Sequence, residues 1–82
     1  MPHQQEIAML RRELEMLMHE RQALLQVTGA SAALIASLDP EALPVGAVES
    51  ADLVATTLNA LSEESLQDAL MAAHAHAEML RE

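Results

Sequence analysis

The chain has 82 residues with no cysteine, no Phe, Tyr or Trp, and a formal net charge of −9. That length fits one domain, residues 1–82, whose core is small. It has no disulfides or thiolate metal sites to stiffen it, which leaves association with other chains as the readiest stabiliser. With no lysine and four arginines, it lacks the cations and stacking rings that nucleic acid requires and the positive charge that an anionic membrane attracts.

Sixteen alanines and fourteen leucines dominate the composition. Both favour helix, whereas the β-branched and aromatic residues of strands are scarce, and no run alternates as a strand would. The fold class is therefore all-α. No segment is apolar for long enough to span a membrane. The opening residues Met1 to Glu6 lack the basic start and apolar run of a secretory signal, so a cytoplasmic location is expected.

The first predicted element is a helix over residues 4–38. Ile7, Leu10, Leu14, Leu17, Met18, Leu24, Leu25, Ala32 and Ile35 follow one another mainly at spacings of three and four, which is one helical face. Asp39-Pro40 stops it, because proline has no N–H and disfavours helix in the residue before it. Gly29 costs about 1 kcal/mol relative to alanine in a helix interior. It allows either a continuous or kinked helix, or a break at Thr28 with Ser31 capping a second helix. The first reading is preferred because the apolar positions stay in phase across it.

Residues 39–46 read as a linker punctuated by Pro40, Pro44 and Gly46, with room for one turn at Glu41-Ala42-Leu43. A helix over 47–61 follows, with Ala47, Ala51, Val54, Leu58 and Leu61 on its core face. The last helix, 62–81, opens on Ser62 as N-cap, with Glu63 and Glu64 in a first turn where the helix dipole favours anions. Its expected core face is Leu66, Leu70, Ala73, Ala77 and Leu80. At about 1.5 Å per residue the first helix spans roughly 50 Å, and the two later ones taken together span the same. The expected architecture is a long N-terminal helix packed antiparallel against two shorter helices, a helical hairpin forming a dimeric bundle. In that arrangement the last helix faces the N-terminal half of the first.

The first helix has a second apolar stripe. With Leu14 placed at zero on a helical wheel, Met9, Met16, Ala23, Val27, Ala30 and Leu34 fall between about 140° and 220°. A surface helix of a monomer needs only one such stripe. These six residues are the expected interface with a second chain, either another copy or a target, and a symmetric homodimer is the commonest arrangement. Arg21 interrupts the first stripe and is expected to snorkel or to pair with an acid.

Three other features are candidates for function. Residues 29–82 hold nine acids and one arginine, against four glutamates and three arginines in residues 1–28. A ridge of Glu64, Asp68, Met71 and Glu82 would suit a basic, partly apolar protein partner. His74 and Glu78, four residues apart, share a helical face and would both reach one metal ion. His3 or His19 would then be the third ligand, since a zinc site needs three or four. His74 and His76, only two apart, diverge. No nucleophile–base pair and no glycine-rich phosphate loop is present, so neither catalysis nor a cofactor is expected.

The reading favoured by these features is a small acidic interaction module: a homodimeric regulator or inhibitor that binds a larger protein through helical surfaces. The alternative is a structural subunit or co-chaperone of a larger assembly. A metal or small-ligand binder using His74 and Glu78 ranks third.

Overall fold

The computed structural model describes residues 2–81. Helix α1 (Pro2–Ser37) is followed by a 3-10 turn (Pro40–Ala42) and helices α2 (Val45–Asn59) and α3 (Glu63–Leu80). The all-α fold with a long N-terminal helix packed against two shorter ones is what the sequence predicts. The molecule is elongated, 64 × 32 × 23 Å.

Helix α1 runs through Gly29 without interruption. The Ser31 hydroxyl that would have capped a second helix bonds back into the first instead, as does that of Thr28. Thr28 Oγ1 donates to the Leu24 carbonyl at 2.8 Å and Ser31 Oγ to the Val27 carbonyl at 2.7 Å. Both are backbone acceptors four residues earlier, a geometry that continues a helix. The helix ends at Ser37, and Asp39 opens the next turn by accepting from the Glu41 amide at 3.1 Å. Pro44 precedes α2, which begins at Val45, two residues before the predicted start. Ser62 caps α3 by accepting from the Ser65 amide at 3.1 Å, as its sequence predicts.

Helix α2 runs back along the C-terminal half of α1. Val48 and Ala51 in its first half border the same groove as Ile35 and Leu38, and Leu58 near its end, with Leu61 just beyond it, borders the same groove as Val27 and Thr28. Of its predicted core positions, Ala47, Ala51, Val54 and Leu58 are half-buried, whereas Leu61 lies beyond the helix and is exposed.

Helix α3 departs from expectation in two ways. It does not cover the N-terminal half of α1. Every residue from His3 to Leu24 is exposed, and the buried stretch of α1 begins at Leu25. The turn at Ala60–Ser62 redirects the chain, and α3 crosses α1 at Gly29. There a side chain on residue 29 would collide with the Ala69 carbonyl and lie 2.8 Å from the Ala73 Cβ. Glycine is what lets the two backbones come this close.

The second departure is the face α3 buries. Ala69 and Ala72 are buried, and Ser65, Leu66 and Ala73 are half-buried. Leu70 is 43% exposed and Leu80 74%. The leucine-bearing side is rotated outward because the crossing at Gly29 selects small residues.

Candidate functional site

The structure exposes a feature of α1 that the stripe analysis blurs. Ile7, Leu10, Leu14, Leu17, Arg21, Leu24, Thr28, Ser31, Ile35 and Leu38 recur at spacings of three and four in strict alternation. This spacing is that of the a/d seam positions of a coiled coil, which buries them against another helix. The stripe of the sequence analysis contained most of these residues. The alternation was hidden because Arg21, Thr28 and Ser31 are polar and were not counted as members.

The seam has two different fates. At Thr28, Ser31, Ile35 and Leu38 it is half-buried beside the chain's own α2. Below Leu25 its residues are exposed, and among the described residues Asp68 of α3 reaches it at Arg21. Ile7, Leu10, Leu14, Leu17 and Leu24 are between 55% and 67% exposed. Its upper end opens into a groove of about 270 Å³ lined by Leu17, Glu20, Arg21, Leu24, Leu25 and Thr28. The seam is thus continuous, satisfied within the chain at one end and open at the other.

The predicted interface residues Met9, Met16, Ala23, Val27, Ala30 and Leu34 are all exposed. They lie on the face of α1 away from the seam, with one exception. Val27 borders a groove of about 360 Å³ between α1 and α2, together with Ser31, Leu53, Thr57 and Leu61. The expectation that only this second stripe would lack cover needs correcting. Along residues 3–24 both faces of α1 are bare, because α3 crosses higher up.

The predicted acidic ridge is divided. Glu64 and Met71 are exposed, and Glu82 lies outside the described residues. Asp68 is not on the outer face. It turns toward α1 and pairs with Arg21 at 3.8 Å, so the arginine finds its acid on another helix. The arginine side chain is 62% exposed and the aspartate 46%, and water screens such a pair. Asp68→Asn is therefore expected to lower stability by less than about 1 kcal/mol in chemical denaturation.

His74 and Glu78 do face one another, Nε2 to Oε1 at 3.8 Å, and Arg81 approaches the same carboxylate oxygen at 3.6 Å. An arginine at that oxygen competes with a cation for it. Among the described residues no three His, Asp or Glu side chains are grouped closely enough to hold a metal ion. His3 and His19 lie on the bare half of α1. Among the described residues no helix is long and apolar enough to cross a membrane.

Fold and surface together define a three-helix head carrying a long amphipathic arm whose residues 3–24 are all exposed. Comparison with protein-family models, with curated proteins and with solved structures finds no match for this chain.

Proposed function

We propose that this protein is a protein–protein interaction module that pairs with a second copy of itself through the open seam of α1 and binds a larger protein as a regulator or inhibitor. The observation that carries the reading is the bare arm. Among the described residues no large apolar side chain is fully buried, while Ile7, Leu10, Leu14, Leu17, Met18 and Leu24 are each more than half exposed along one face. Contiguous apolar surface of this kind marks an interaction site. A helix that is unsupported by tertiary contacts is also only marginally stable in water.

The two faces of the arm suit two partners. The seam suits a copy of the same helix. The opposite stripe, with Met9, Met16, Ala23, Ala30 and Leu34, then stays free for the target. Methionine adapts to irregular surfaces and is common where binding is adaptable. The acidic surplus of residues 29–82 favours a target with basic character.

The test is the molar mass of the unmodified protein by light scattering across a dilution series. The expected mass is twice that of the chain, about 18 kDa against 8.9 kDa for one copy, falling toward one copy only on dilution. A mass of one copy at high concentration, with the helix content unchanged, would sink the reading.

A further inference from the structure

We infer that the second copy docks on the seam antiparallel to the first, so that the N-terminal end of each arm reaches the head of the other chain. This inference rests on the self-pairing proposed above and adds its orientation. Two features compete to decide it, the charges flanking the seam and the position of the head.

The charges on their own favour a parallel pair. The flanking positions on one side of the seam carry Glu6, Glu13 and Glu20, and those on the other side carry Arg11 and Met18. In a parallel coiled coil Glu6 would lie near the second copy's Arg11, an attraction. In an antiparallel one Glu13 would lie near the second copy's Glu20, a repulsion. Such surface pairs are each worth only about 0.2–0.5 kcal/mol.

The head decides the other way. Packed helices lie about 8–10 Å apart. A parallel second copy would carry its own residues 28–37 onto the seam face of Thr28, Ser31 and Ile35, which α2 already borders. Helix α1 is continuous to Ser37 and has no break at which to splay away. An excluded volume of this size outweighs a few tenths of a kcal/mol from exposed charges.

The antiparallel arrangement meets the head only at the end of the helix, where Asp68 of α3 reaches Arg21 and α2 borders Thr28, and its length matches. Two-fold symmetry makes each contact reciprocal. With Leu14 of one chain opposite Leu17 of the other, Leu10 lies opposite Arg21, Ile7 opposite Leu24 and His3 opposite Thr28. The second copy's helix therefore runs out where the head begins. Its Ile7 and Leu10 enter the groove that Leu17, Arg21, Leu24 and Thr28 leave open. Ile7, Leu10, Leu14, Leu17, Met18 and Leu24 contribute on the order of 100 Å² apiece, most of the roughly 800 Å² per partner that a stable interface buries. The two heads then stand at opposite ends of a rod.

The absence of cysteine makes the test clean. Ile7→Cys and Leu24→Cys are prepared separately, mixed and oxidised, alongside each variant alone. The expected product is a mixed disulfide of the two variants, with neither linking to itself. Seventeen residues of helix put like positions about 25 Å apart, beyond disulfide reach. If light scattering shows a dimer and Ile7→Cys links to itself, the orientation is overturned while the self-pairing stands. If the unmodified protein is a monomer, the self-pairing falls as well.

Cysteine in the seam can itself weaken the dimer, so a spin label at Gln5→Cys on the outer face gives a second reading. Two labels about 35 Å apart are expected for the antiparallel pair, and about 20 Å would overturn it.

Discussion

Gly29→Ala should unfold the head at a lower temperature, although helix propensity predicts the opposite. Alanine in place of glycine inside a helix normally stabilises by about 0.5–1 kcal/mol. At this position the new methyl group meets the Ala69 carbonyl carbon at 2.7 Å and the Ala73 Cβ at 2.8 Å. The first of these belongs to the backbone of a packed helix and cannot rotate away. Relief requires α3 to withdraw from α1, and α3 holds both of the buried hydrophobic residues among those described, Ala69 and Ala72. Overpacking of this kind typically costs about 1–3 kcal/mol. In a domain of this size that lowers the melting temperature by roughly 5–20 °C.

The second glycine supplies the control. Gly46 lies in α2 with nothing within 4 Å of the position its Cβ would occupy, and its φ is not positive. Gly46→Ala is expected to raise stability by about 0.4–1 kcal/mol, because only the entropy of the unfolded chain changes. Thermal melts followed by circular dichroism read both variants. Shifts of the same sign in both would remove Gly29 from its role as the crossing point.

That crossing was the least legible part of the fold. The elements themselves could be read because each has a local cause. The alanine–leucine composition makes helix, Asp39-Pro40 and Pro44 break it, and Ser62 caps the last helix by the bond expected of it. How α3 packs has no local cause. The sequence marks Leu66, Leu70 and Leu80 as core, since leucine gains most by burial. The structure buries the alanines, because the depth of approach is set by Gly29, forty residues earlier in the chain. A glycine inside a helix reads in sequence as a cost or a break, and only a facing helix reveals it as a clearance.

The candidate site was half legible for a related reason. Spacings of three and four along α1 announce an apolar face, and the second stripe through Met9, Met16 and Leu34 is real and exposed. The matching lengths of α1 and of the two later helices point to cover of the whole seam within the chain. Matching lengths do not fix where a chain turns, and the turn at Ala60–Ser62 leaves the lower seam uncovered. Arg21 was correctly expected to seek an acid. That the acid is Asp68 depends on the crossing and could not be read from spacing.

Leu14→Glu or Leu17→Glu should convert the protein to a single-copy species in which the arm frays while the head still melts cooperatively. The two leucines face one another at the centre of the antiparallel pairing, so symmetry places each substitution in the interface twice. Each site loses roughly 1.5–3 kcal/mol of leucine burial. The pair therefore loses about 3–6 kcal/mol, or roughly two to four powers of ten in the dissociation constant. Desolvating a carboxylate with no partner adds to that loss. Met16 lies between these leucines in sequence but on the opposite face, so Met16→Glu should leave the molar mass at two copies. Light scattering separates the two faces directly. If Met16→Glu dissociates the pair and Leu14→Glu does not, the second copy sits on the stripe of Met9, Met16 and Leu34, and the seam is the surface left for the target.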